Sequence, residues 1–130
     1  MKVLGIGVDI VKNKRINILI KKQNFIKRTF SKKEILFSKN KRNKINYFAK
    51  RFAAKESFSK TLGTGIGKNL NFKDIEILND KLGKPYYVIN KTINALICKK
   101  FRVKKYNLFL SISDEKDYSI AFTILENNDV

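Results

Sequence analysis

The sequence predicts an α+β fold: one domain over residues 1–130, with a mainly antiparallel sheet packed on a long central helix. Three observations predict it. Short apolar runs with strand-like spacing stand at the N-terminus, in the middle and, twice, near the C-terminus. Residues 45–62 carry two apolar stripes at helical spacing, as a helix covered on both sides would. The order strand, helices, two strands, helix, two strands suits an antiparallel sheet better than repeated parallel units. A chain of this length buries roughly two thirds of its unfolded surface, enough for one proper core.

Each element has its own signal. In Val3 to Ile10, Leu4, Ile6, Val8 and Ile10 alternate with Gly5, Gly7 and Asp9. The apolar face is expected to pack, and the other face has no side chain until Asp9. Glycines there let another backbone or a ligand come close. Ile16, Leu19 and Ile20 fit a helix face, with Lys14, Arg15 and Lys21 outward. Ser31-Lys32-Lys33-Glu34 is a capping box, so a short helix should run through Phe37. Lys39 to Lys44 reads as a basic linker. The long helix spans about Ile45 to Leu62, with Ile45, Phe48, Ala49 and Phe52 on one stripe and Tyr47, Ala54 and Phe58 on the other. Ile75 to Leu78 and Tyr86 to Ile89 read as paired strands about a turn at Asp80 to Pro85. Asn90 can cap a helix that turns Ile93, Ala95, Leu96 and Ile97 inward. Tyr106 to Ser113 and Tyr118 to Leu125 make a terminal hairpin around Asp114 to Asp117.

Composition narrows the chemistry. The chain has no histidine, which removes the commonest general base and the usual zinc ligand. With a single cysteine, Cys98, structural zinc and histidine-activated nucleophiles are excluded. Cys98 reads as a small core residue; one cysteine also excludes an internal disulfide and fits a reducing, cytoplasmic setting. No apolar run reaches the roughly 18 residues of a membrane span, and a first strand containing Asp9 does not resemble a signal peptide. The net charge of +18 comes from 29 basic and 11 acidic residues. It predicts fast encounter with acidic partners and loose, nonspecific attraction to nucleic acid. Lysine is abundant in loops and motifs alike, so a chain-wide bias explains most of this charge. A non-enzymatic basic protein bound to RNA or the ribosome is the rival reading. Against it, the aromatics sit in apolar patterns and no RNA-binding signature appears.

The chemical signal lies between Arg51 and Gly67. Glu56 falls in the middle of the stripe made by Ile45, Phe48, Ala49 and Phe52. A carboxylate on a buried face must be paired, protonated or bound to a metal. Arg51 and Lys55 flank that face, and Lys60 follows Glu56 by one turn. The helix then enters Gly63-Thr64-Gly65-Ile66-Gly67, which lacks the Lys-Ser/Thr of a P-loop. One acid, three cations and a flexible loop suggest a metal and a phosphorylated ligand. Asp9, at the end of its strand, could cap the next helix or share a hard cation with Glu56. Glu56 could instead pair with a lysine. Mg²⁺ suits a shared site best, since it takes few protein carboxylates and completes its shell with water and phosphate oxygens.

Gly5-Ile6-Gly7-Val8-Asp9-Ile10 with Arg15-Ile16 resembles the N-terminal motif of holo-[acyl-carrier-protein] synthases, members of the 4′-phosphopantetheinyl transferase superfamily. Arg51 to Lys60 with Gly63 to Gly67 is similar to that family's second motif. Phe72 to Tyr86, with Leu82-Gly83-Lys84-Pro85, and Ser111 to Asp114 followed by Asp117 to Ala121 also resemble the family, in order. Two positions depart from the pattern: Lys12 stands where many members carry an acid, and Asp114 where many carry histidine.

The resemblance implies the 4′-phosphopantetheinyl transferase fold and its reaction. The phosphopantetheine arm of coenzyme A passes to a serine of apo-acyl carrier protein, releasing adenosine 3′,5′-bisphosphate, in support of fatty acid biosynthesis. Asp9 and Glu56 would hold Mg²⁺, with Asp9, Glu56 and Lys60 catalytic. Arg51, Lys55, Lys60, Gly63, Thr64 and Gly65 would bind coenzyme A. Arg15, Lys21, Lys22 and Arg28 would dock the acidic carrier protein. A homotrimer with sites at subunit boundaries is implied as well.

Overall fold

The computed structural model describes residues 2–63 and 70–129. Their elements run β1 (Lys2–Lys12), α1 (Asn13–Leu19), α2 (Gln23–Thr29), α3 (Lys32–Ser38), α4 (Lys44–Leu62), a 3₁₀ turn (Phe72–Asp74), β2 (Ile77–Asn79), β3 (Pro85–Tyr87), α5 (Lys91–Phe101), β4 (Tyr106–Asp114) and β5 (Tyr118–Asn127). One sheet has the order β1-β5-β4 and the other pairs β2 with β3, and every pairing among the described residues is antiparallel. The α+β architecture expected from the element order is present.

Local signals place the helix starts. Ser31 accepts from Glu34 N while Glu34 returns a bond to Ser31 N, which completes the capping box of α3. Asn43 accepts from Asn46 N to start α4, and Asn90 from Ile93 N to start α5. Gly63 ends α4 in the left-handed region at φ 73°, its N–H bonding Lys60 O, a conformation glycine adopts without Cβ strain. In α5, Ile93 and Ile97 are buried as expected, whereas Ala95 is exposed.

Helix α4 is the centre of the molecule and packs on β1 and β5. Phe48, Phe52, Ala53, Ala54, Phe58 and Leu62 are all buried. Phe25, Phe30, Phe48, Phe52 and Phe72 form a chain of ring contacts, with centroids 4.7 to 5.9 Å apart. Burial of each such ring contributes about 1.5–3 kcal/mol.

The first strand is packed the other way round from its expected orientation. Ile6, Val8 and Ile10 are 57%, 52% and 60% exposed, and the glycine face is the one that meets α4. A Cβ on Gly5 would fall on the Thr61 carbonyl oxygen, and one on Gly7 on that of Ser57. Period two shows that a strand has two unlike faces; it does not say which is inside. Here the main chain of α4 comes so close that only glycine fits between. The outward apolar side chains of β1 lie beside Ile120 and Phe122 of β5, and Phe109 of β4 adds to the same exposed face.

Candidate active site

Asp9 follows Gly5 and Gly7 on the face of β1 that touches α4, so the close strand–helix approach delivers its carboxylate to the helix. Helix α4 answers with Glu56 and, one turn later, Lys60. Lys60 Nζ lies 3.1 Å from Asp9 Oδ1 and donates to the Val8 carbonyl at 3.1 Å. Glu56 is half-buried, and its pKa is raised, first by burial and then by the negative charge of Asp9. Lys60 and Arg15 act in the opposite sense. Asp9 does not cap α1: Lys12 stands at that position, with no side-chain cap bond.

Two neighbouring carboxylates, one of them resisting ionisation, form a hard oxygen donor set that a divalent cation would relieve. The described residues contain no cluster of three or more histidine, cysteine or acidic side chains. Asp9 and Glu56 therefore fit a cation that draws its other ligands from water and phosphate.

Arg15 lies on α1 with its guanidinium 5.8 Å from the ring centre of Phe52. It is exposed, as are Lys21 and Lys22 in the α1–α2 link and Arg28 on α2. Arg15 thus borders the carboxylate site, and its charge acts on Glu56. Gly63 is the helix cap described above, and Thr64 and Gly65 lie outside the described residues.

Lys55 is not a ligand-binding residue. Its ammonium is fully buried, 2.8 Å from Glu34 Oε1, and also donates to the carbonyls of Phe72 and Ile75. All three donors are used inside the chain. This corrects the expectation that Lys55 contacts coenzyme A, and it also removes Lys55 as a partner for Glu56. Glu34 itself carries no sequence signal beyond its capping role, and its second partner lies 21 residues away.

Arg51 belongs to a different region. Five residues from Glu56, it projects roughly 140° away around α4. Its guanidinium lies 3.8 Å from the ring centre of Tyr47 and donates to Asn79 Oδ1, while Nε has no partner. It lines a cavity of about 810 Å³ together with Lys41, Arg42, Lys50, Lys81 and Asp114, but not Asp9, Glu56 or Lys60. Asp114 accepts from Asn46 Nδ2 at 2.8 Å at its edge.

This chain and its fold match known proteins. The chain belongs to the 4′-phosphopantetheinyl transferase superfamily, whose family model matches residues 5–123. Its relatives over nearly full length are holo-[acyl-carrier-protein] synthases. That of Pelagibacter ubique (strain HTCC1062) is 57% identical over 126 residues, covering 97% of this chain and 98% of the relative. The crystal structure of the Neisseria meningitidis synthase is 38% identical with a TM-score of 0.84, covering 97% and 100% of the two chains. The Bacillus anthracis synthase, solved in complex with CoA (3′,5′-ADP), is 34% identical with a TM-score of 0.80, covering 97% and 98%.

Proposed function

We infer that this protein transfers the 4′-phosphopantetheine group of coenzyme A to a serine of apo-acyl carrier protein, leaving adenosine 3′,5′-bisphosphate. The observation that carries this is the meeting of Asp9, Glu56 and Lys60 where β1 crosses α4, in a chain of this superfamily. Family membership displaces the RNA-binding reading, and the charge of +18 is left to composition and to the acidic partner.

Asp9 and Glu56 would hold Mg²⁺, which supplies positive charge to the pyrophosphate when bound. Lys60, more than half exposed, is free at its outer side to donate to phosphate oxygens. In a chain without histidine, a carboxylate is the side chain suited to accept the serine proton. Arg15, Lys21, Lys22 and Arg28 would hold the acidic carrier protein beside these groups. Arg51 and the lysines of its cavity suit the anionic nucleotide end of coenzyme A.

The outward face of Ile6, Val8, Ile10, Phe109 and Phe122 supports assembly with further copies of the chain, as a homotrimer. Sites at subunit boundaries would let one coenzyme A reach both the cationic cavity and the carboxylates. No helix among the described residues is long and apolar enough to cross a membrane, and a role in fatty acid biosynthesis in the cytoplasm follows from the carrier protein as substrate. The test is the mass of apo-acyl carrier protein incubated with coenzyme A, with Mg²⁺ or with chelator. A phosphopantetheine mass gain only with Mg²⁺ is expected; no gain with Mg²⁺ would refute the reading.

A further inference from the structure

Lys55 and Glu34 take no part in that chemistry, yet three segments meet at them. Lys55 spends its donors on Glu34 Oε1 at 2.8 Å, on the Phe72 carbonyl at 2.9 Å and on the Ile75 carbonyl. Glu34 is held in turn, accepting from Ser31 N at 2.8 Å through Oε1 and from Ile77 N at 3.0 Å through Oε2. Both side chains are fully buried. The N-terminus of α3, the 3₁₀ turn with β2, and α4 are thereby tied at one point. A buried network with its donors used has few alternative arrangements.

Glu56 is the next residue of α4, roughly 100° further round. Whatever fixes Lys55 also fixes the roll of the helix, and the roll decides whether Glu56 faces β1. From the other side the close approach of Gly5 and Gly7 to the Thr61 and Ser57 carbonyls sets the strand–helix spacing, while the Lys60–Asp9 contact adds little, since Lys60 is 57% exposed. An ion pair kept only for stability is a weaker account, because desolvation of two buried charges offsets most of their attraction.

We propose that the Glu34–Lys55 pair is a positioning device for Glu56: Glu34, remote from the reacting groups, sets the direction in which α4 presents its carboxylate to Asp9. This rests on the reading of Asp9 and Glu56 as metal ligands. Two variants test it. Glu34→Asp keeps the charge and shortens the reach; Glu34→Gln keeps the reach and loses the charge. Mg²⁺ binding is measured by calorimetry with coenzyme A present, and the metal-free variants are crystallised. Binding should weaken about tenfold, with the KM for carrier protein unchanged and the Glu56 carboxylate displaced from its place beside Asp9. If Glu34→Gln does not fold, Glu34→Asp carries the same readouts. Unchanged Mg²⁺ binding with Glu56 unmoved in Glu34→Asp overturns the inference, even if Tm falls. Should the parent itself bind no Mg²⁺, the metal reading fails instead, and the crystal comparison alone decides whether Glu34 orients Glu56.

Discussion

Lys60 Nζ sits 3.1 Å from Asp9 Oδ1, so a cation from the last turn of α4 rests on the carboxylate of β1. The pair joins the two elements that make the site. Under the proposed function, the same ammonium would also reach a ligand phosphate from its exposed side.

Removing that ammonium should weaken coenzyme A. Lys60→Ala is expected to cost about tenfold in affinity, the worth of one charge-assisted hydrogen bond. The deficit should shrink at high salt, where the parent's charge pairing is screened. Calorimetry at two salt concentrations reads both effects. Parent-like affinity at low salt would return Lys60 to the surface lysines.

Glu56 gives a pH-dependent prediction. Its folded pKa is raised by burial and then by Asp9. A group of this kind favours folding below its unfolded pKa, and that contribution is lost as pH rises through the folded value. Once ionised, Glu56 therefore burdens the metal-free chain. Glu56→Gln should raise Tm at pH 7 without Mg²⁺, and the gain should vanish below about pH 4.5, while transfer falls about a hundredfold or more. A lower Tm at pH 7 would show that Glu56 has a stabilising partner.

How much of this was legible in the sequence depends on range. The capping box of α3, the Asn90 cap and the β4–β5 hairpin rest on residues a few positions apart, and each stands as expected. The central strands begin and end elsewhere than expected, at Ile77–Asn79 and Pro85–Tyr87, because three-residue strands have too little periodicity to fix their bounds. That Asp9, Glu56 and Lys60 come together was legible because strand alternation and helix spacing put their side chains on definite faces. The fate of Lys55 was not: its partner Glu34 comes from another helix, and local spacing cannot distinguish a buried ammonium from one beside a phosphate. The inward face of β1 was hidden for a similar reason, since backbone contact replaces side-chain packing there.

Gly7→Ala tests that contact. The added methyl would strike the Ser57 carbonyl oxygen, a main-chain atom of α4 that cannot swing aside. A loss of about 2 kcal/mol or more is expected, seen as a lower midpoint in denaturant unfolding. An unchanged midpoint would mean that strand and helix separate easily.

Arg15→Glu should raise the KM for carrier protein while coenzyme A affinity measured alone stays the same. Arg15 is exposed and borders the site through Phe52. Steady-state kinetics with each substrate varied separates the two. An equal loss for both substrates would place Arg15 inside the coenzyme A site.

Phe122→Glu puts a charge in the outward sheet face, between Val8 and Ser111 on the neighbouring strands. Sedimentation should show the proposed trimer dissociating, with activity lost alongside it. A parent protein that sediments as a monomer would leave this face to another partner.

The glycine contact between β1 and α4 bears on how this chain tolerates its own unusual composition. Away from this contact and from the Glu34–Lys55 pair, side chains can drift toward lysine or asparagine with little effect on the spacing of Asp9 and Glu56, because main-chain atoms hold the strand and helix together there. Every residue type carries the same carbonyl. A catalytic centre framed in this way is insulated from compositional drift at all but a few positions, and Gly5 and Gly7 are two of them.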